Sequence, residues 1–177
     1  NSGVNVFCEK PLTINYLDAK KLFKIAKRNK VKLYVSDVYS FHNKKIKKIL
    51  LSNKIVRSKN NVKGDNEFFY RFMYHDISIL FTYFKNFKIK SVNINRSIKK
   101  RIFKINILFK NNKKFLFEYS LSSKIKNHYI NNVNYITKID ILKKMLKSVL
   151  YGKVNISDNN QKALFILKFL NKMKRYS

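Results

Sequence analysis

The clearest periodicity along the chain is helical. Ala19, Leu22, Phe23 and Ala26 fall at i, i+3, i+4 and i+7 with polar and charged residues around them, a spacing that predicts an amphipathic helix over residues 13–29. Thr13 stands where a side chain caps a first turn, and Asn29 where the left-handed conformation ends one. Apolar runs flank this helix, Val6-Phe7-Cys8 before it and Val31 to Tyr39 after it. Strand, helix and strand at that spacing predict a βαβ unit with parallel pairing. Residues 43–52 place Ile46, Ile49 and Leu50 on one face and lysines on the other, a second helical pattern. Residues 53–67 are polar and weakly patterned. Residues 70–86 read as helix, with Ile77, Leu80 and Phe84 on one face.

From residue 89 the period changes from that of a helix to that of a strand. Residues 92–98, 102–109, 114–121 and 124–131 alternate apolar and polar side chains over much of their length. This predicts strands of an antiparallel run with one buried face. Asn111-Asn112 is a turn signal between the second and third. Residues 138–151 and 158–175 return to helix, with Ser157 placed to cap the last. The whole pattern predicts an α/β segment followed by an α+β domain with a mainly antiparallel open sheet.

Composition narrows the classes. The chain has 177 residues, 45% of them apolar, enough for a packed core and too many for a disordered chain. A single cysteine, Cys8, excludes an internal disulfide, fits a reducing compartment and reads as a small buried residue. No apolar run approaches the roughly 20 residues a membrane helix needs, and no basic-then-apolar leader is visible. The expected localisation is cytoplasmic. The first residue is Asn, which reads as a fragment or truncated gene product. The net charge is +31, which admits a nucleic-acid partner. However, 34 of the basic residues are lysines and only 6 arginines, and the lysines are spread along the whole length. Asn, Ile, Phe and Tyr are abundant while Ala, Gly and Pro are scarce, as an AT-rich genome would write. Codon bias is therefore favoured over a selected nucleic-acid surface, and any duplex binding should be weak, sequence-independent and lost with salt. No cysteine or histidine spacing indicates a metal. His42 and His128 show no partners and read as surface residues.

The candidate chemistry sits at the end of the first strand. Glu9 and Lys10 put opposite charges at its carboxyl end, where α/β sheets hold ligands. Pro11, the only proline, restricts the residue before it to an extended conformation, and the bond between them is a candidate for the cis form.

The stretch Asn-Val-Phe-Cys-Glu-Lys-Pro-Leu-Thr, residues 5–13, resembles the Glu-Lys-Pro segment of the glucose-fructose oxidoreductase, inositol dehydrogenase and MocA (Gfo/Idh/MocA) family, with Asn1-Ser2-Gly3 in the place of its small-residue lead-in. Tyr39-Ser40-Phe41-His42-Asn43 falls where that family carries Tyr-Arg-Phe-x-Pro. His75-Asp76-Ile77 resembles its Asp-x-x-x-His segment and the Asp-Ile that follows, with Arg71 in place of the aspartate and Ser78 where a second aspartate is common. Gly152-Lys153 and Asn155 resemble its closing segment. Residues 53–67 are shorter than the family's stretch there, which includes a strand.

The resemblance implies a two-domain enzyme using NAD or NADP on sugars and related alcohols. Residues 1–41 would be the C-terminal part of a nucleotide-binding, Rossmann-type domain. Its glycine-rich phosphate turn has no counterpart here, since the only glycines are Gly3, Gly64 and Gly152. Residues 42–177 would be the sheet domain, with the substrate side and an oligomer interface. The implied catalytic residues are Lys10 and His75, facing one cleft. Glu9 and Pro11 would contact the cofactor, and Tyr39, Phe41, Arg71 and Asp76 the substrate; no metal is implied. Arg71 would make the cleft more positive and favour an anionic ligand such as a carboxylate or phosphate. The reading is the C-terminal portion of an NAD(P)-dependent oxidoreductase acting on a sugar, nucleotide sugar or polyol, forming a homo-oligomer through its sheet. The alternative is a non-catalytic remnant that serves as an oligomerisation or binding module.

Overall fold

The structure, a computed structural model, describes residues 3–42, 49–59, 67–97, 99, 101–136 and 139–176. Strand β1 (Val6–Cys8) and strand β2 (Leu33–Val35) pair in parallel with Val6 opposite Leu33, and helix α1 (Tyr16–Arg28) connects them. The predicted βαβ unit is present. Its helix starts later than Thr13, because Asn15 is the cap: its side chain accepts from Leu17 N at 2.8 Å, while Thr13 Oγ1 donates to the Asn15 carbonyl at 2.6 Å. Ala19, Phe23 and Ala26 are buried and Leu22 is exposed. The Lys10–Pro11 bond is cis. β2 is shorter than the apolar run that contains it. After Val35 the chain makes a 3-10 turn, Val38–Phe41. The turn is anchored by Asp37, whose carboxylate accepts from Ser40 and Ser78 and faces Lys162 Nζ at 2.6 Å.

The second sheet has six strands in the order β4-β5-β6-β3-β7-β8. β4 (Ile89–Ser97), β5 (Ile102–Phe109) and β6 (Lys114–Ser120) form the expected meander, and Asn112 takes a positive φ of 61° between the last two. β3 (Ser52–Ser58) lies where the pattern showed no regular structure and where the family strand was expected to be missing. It runs parallel to β6 and antiparallel to β7 (Asn127–Ile130), so β7 does not follow β6 as a simple antiparallel run would have it. The alternation of β3 was masked because its inward positions are Asn53, Ile55 and Arg57. Buried Asn53 is satisfied by Leu50, Asn131 and the Lys114 carbonyl at 2.9–3.2 Å. The helical reading of 43–52 therefore fails at its end; residues 43–48 lie outside the described residues. A two-residue turn, Asn131-Asn132, with φ of 46° and 67°, joins β7 to β8 (Val133–Asn134). Asn tolerates this left-handed pair better than most residues.

One face of the sheet is aromatic and buried. Phe103 and Phe109 of β5 and Phe115, Phe117 and Tyr119 of β6 belong to one hydrophobic core with α2 (Tyr74–Phe84) and α4 (Ile156–Lys174). Phe84 stacks on Phe169 at 5.1 Å, nearly coplanar at 9°. The other face carries Lys54 and Lys104 around Glu118, at 2.7 and 3.6 Å. Preceding α2 is a π-helical segment, Glu67–Met73. α3 (Ile139–Leu150) lies near the 3-10 turn.

α4 is capped by Asn155, which accepts from Asp158 N at 3.2 Å, and not by Ser157. It returns to the first sheet and buries Asn159 against β2. Asn159 accepts from Val35 N and donates to Val35 O, both at 2.9 Å, in the manner of a one-residue neighbouring strand. The two sheets therefore share a helix and a core. Asn159→Ala should cost about 2 kcal/mol, because it leaves a buried amide and carbonyl unpaired; chemical denaturation measures this, and an unchanged midpoint would contradict it.

Candidate functional site

The carboxyl end of β1, the 3-10 turn, the end of β3 and the π-helical segment enclose a cleft of about 440 Å³. Glu9, Lys10, Tyr39, Arg71 and His75 all line it, although they come from distant parts of the sequence. Lys10 reaches in from the turn after β1. Its ammonium donates to the Arg71 carbonyl and lies 5.5 Å from the Tyr74 ring centre. Arg57 Nη1 likewise donates to the Phe72 carbonyl, at 2.7 Å. Both accepting carbonyls belong to the π-helical segment, the kind of helix irregularity that frequently accompanies functional sites.

The electrostatics follow from burial and crowding of cations. Burial lowers the Lys10 pKa, Arg57 and Arg71 lower it further, Glu9 and Asp76 oppose them, and the result is about 7. Burial, then Lys10, Arg57, His128 and Lys59, holds the His75 imidazole well below its usual range, so it is neutral at pH 7. His75 meets the Tyr39 ring edge-on at 4.9 Å. Arg71 is exposed and pairs with Glu67 at 3.2 Å, one helical turn earlier in the sequence. Lys10, Arg57, Lys59, Arg71 and Lys126 line the cleft against Glu9 and Glu67, so cations outnumber carboxylates there.

Three expected site residues lie elsewhere. Phe41 lines a neighbouring depression with Phe81 and Lys162, and Pro11 is not among the residues lining the cleft. Asp76 is fully buried, with 0% exposure, and cannot touch a substrate. Its Oδ2 accepts from Tyr119 OH at 2.8 Å, and its Oδ1 lies 2.6 Å from His128 Nε2 and 3.5 Å from Arg57 Nη1. The His128 approach has the geometry of an ion pair rather than a linear hydrogen bond. Burial works against Asp76 ionising, but Arg57, His128 and Tyr119 outweigh it and hold the carboxyl below its usual range.

His128 is no surface residue. It is 2% exposed, and its Nδ1 is 3.1 Å from Tyr39 OH. All three histidines of the chain surround Tyr39: His75 at 4.9 Å, His128 at 5.5 Å and His42 at 6.1 Å between ring centres. Sequence reasoning missed Arg57, Tyr119 and His128 because only strand register unites them. Arg57 is opposite Tyr119 in the parallel β3–β6 pair and opposite His128 in the antiparallel β3–β7 pair, so the three form one row across the sheet beneath Asp76. The available signal was a polar residue at each inward position of that row.

Residues 1–37 match the model of a family described as oxidoreductases with an NAD-binding Rossmann fold, the Gfo/Idh/MocA family. No curated protein matches the chain. Among solved structures, the UDP-N-acetylglucosamine 3-dehydrogenase GnnA from Acidithiobacillus ferrooxidans is similar at 12% identity, over 98% of this chain and 70% of that one, with a TM-score of 0.72. The WlbA (WbpB) dehydrogenase from Thermus thermophilus, in complex with NAD and UDP-GlcNAcA, is similar at 12% identity over 95% of this chain and 64% of that one, TM-score 0.65. An NAD-binding protein from Listeria innocua is similar at 16% identity over 94% and 67%, TM-score 0.62. The resemblance read from the Glu-Lys-Pro stretch holds: its first part carries the family's pattern and the whole chain has the fold of such dehydrogenases, an α/β segment followed by an α+β domain on a mostly antiparallel sheet.

Proposed function

We propose that this chain forms the catalytic and substrate-facing part of an NAD(P)-dependent oxidoreductase that moves a hydride between a nicotinamide and an alcohol carbon of a sugar, nucleotide sugar or related polyol. The observation that carries the reading is that Lys10 and His75 line one cleft at the carboxyl end of β1. A lysine whose pKa is lowered to about 7 can exchange a proton with a substrate oxygen at neutral pH, and in its charged form it stabilises a developing alkoxide. Neutral His75 accepts a hydrogen bond from a substrate hydroxyl. Bound nicotinamide supplies the hydride acceptor or donor. Glu9, at the end of β1 and lining the cleft, would face the nicotinamide side of such a cofactor, in either its NAD or its NADP form. The pyrophosphate needs a glycine turn at a helix N-terminus, and this sequence contains none. These 177 residues by themselves should therefore bind NAD more weakly than micromolar; calorimetry giving micromolar affinity would overturn that expectation.

The cations at the cleft favour a substrate carrying a carboxylate or phosphate. The single cysteine, free in the structure, supports a cytoplasmic setting, and no helix among the described residues is long and apolar enough to cross a membrane. Arg71, in place of a carboxylate, supports the second reading, a non-catalytic binding or oligomerisation module. These 177 residues alone are expected to be inactive, so the deciding test is nicotinamide reduction with acidic and neutral sugars in an assembly that supplies the glycine turn: turnover favouring acidic sugars supports the enzyme reading, and saturable sugar binding without turnover there supports the second.

A further inference from the structure

We propose that Lys59 and Lys126 form a two-lysine site at the rim of the cleft that takes a phosphoryl group of the substrate. Strand register brings them together. β3 and β7 pair antiparallel, with Arg57 opposite His128 and Ser58 opposite Asn127. One step further along the same register sets Lys59 against Lys126. Side chains alternate along a strand, so Lys59 shares the face of Arg57, and Lys126 that of His128. Both lysines are exposed, and both line the cleft. The backbone under them is fastened. Ser58 Oγ donates to the Ile125 carbonyl at 2.7 Å and accepts from Asn127 N at 3.1 Å, and Lys59 N donates to the Ser120 carbonyl at 3.0 Å.

The other cations of the cleft are committed. Lys10 donates to the Arg71 carbonyl, Arg57 donates to the Phe72 carbonyl beside Asp76, and Arg71 pairs with Glu67. Among the described residues, no carboxylate lies within ion-pair distance of Lys59 or Lys126. Like charges directly across an antiparallel pair destabilise it, so these two ammonium groups oppose each other until an anion lies between them. The Lys59 charge also reaches the centre of the cleft, where it helps hold the His75 imidazole below its usual range. Two ammonium groups match the double charge of a phosphoryl group, whereas a carboxylate would leave one of them uncompensated. Each binds phosphate as a point charge with three donors. The use of this site in a reaction rests on the oxidoreductase reading. There the phosphoryl group of a sugar phosphate or nucleotide sugar holds the non-reacting end of the substrate, with the alcohol toward Lys10 and His75.

The test uses the 177-residue chain and two double variants. At physiological ionic strength, inorganic phosphate or pyrophosphate should give saturable shifts in the backbone amide resonances of Lys59 and Lys126. Acetate should bind at least about 10-fold more weakly, the worth of one charged hydrogen bond. Pyrophosphate bound more tightly than phosphate assigns the site to a diphosphate, and equal affinities assign it to a monophosphate; both support it. Lys59→Gln with Lys126→Gln should weaken phosphate binding at least about 10-fold. Lys20→Gln with Lys24→Gln removes the same charge from exposed positions of α1 and should change the affinity less than about 2-fold, because salt screens distant charges. Equal losses in the two double variants, acetate binding as tight as phosphate, or no saturable shift overturns the site. In an assembly that oxidises alcohols, Lys59→Gln with Lys126→Gln should raise KM for a phosphorylated sugar about 10-fold relative to KM for a neutral one. An unchanged ratio overturns the site's part in the reaction. Failure of the unsubstituted assembly to oxidise any alcohol sinks the oxidoreductase reading, while the NMR titration still decides the anion site.

Discussion

Asp76→Ala should lower the free energy of unfolding by about 3–5 kcal/mol, the usual cost of removing one partner of a buried ion pair. For a chain of this size that corresponds to a fall in Tm of roughly 6–20 °C, readable by thermal circular dichroism. The cause is specific: Arg57, largely buried over the Phe72 ring at 4.4 Å, loses its counter-charge, and Tyr119 OH loses its acceptor. Because these groups act as one network, pairing Asp76→Ala with Arg57→Leu should cost less than the sum of the two. The pH dependence has a definite sign. The folded pKa of Asp76 lies below its unfolded value. Its contribution is therefore fully present above about pH 4, the ordinary carboxylate range, and is lost as pH falls from there through the folded pKa. Asp76→Asn should remove that acid dependence. A loss under about 1 kcal/mol, the worth of an exposed pair, would show that the carboxylate does not hold the row beneath it.

Lys10 should titrate at about pH 7, against near 10 for a lysine free in water. After reductive methylation with labelled formaldehyde, one dimethylamine resonance should move through neutrality. Arg57→Gln should raise that pKa, since Arg57 is the strongest charge lowering it, and Glu9→Gln should lower it further. The sign for stability is the same as that of Asp76, in a higher pH window. Folding depresses the Lys10 pKa, so the unfolded chain binds more protons between about pH 7 and 10, and this residue's contribution to stability rises with pH across that window. In an assembly that oxidises alcohols, Lys10→Met should lower kcat by about 10²–10⁴-fold, the range for a positioned acid-base group, and the alkaline limb near pH 7 should disappear. A Lys10 that titrates near 10, as a free lysine does, would sink this account.

The sequence by itself determined what depends on local chemistry and short-range periodicity. The α1 stripe, the β5 alternation, the Asn111-Asn112 turn and the Glu-Lys-Pro end of β1 are all written within a few residues of one another. Each element forms for reasons its own side chains supply. The joint placement of Lys10, His75, Tyr39 and Arg71 in one cleft was also legible, through the resemblance those short motifs carry.

Tertiary structure alone decided the rest. β3 was invisible because two of its three inward positions are polar, Asn53 and Arg57, and their partners are brought up by Leu50, Asn131, Asp76 and the helix carbonyls. His128 read as a solitary surface residue, and Asp76 as a substrate ligand, for the same reason. Burying a charge is costly unless a partner is supplied, and the partners come from three strands and a helix that periodicity cannot align. Strand register is a long-range property: shifting β7 by one residue would turn His128 to the opposite face. Register and the crossing of α2 over the sheet, rather than any local signal, set the buried row on which the cleft rests.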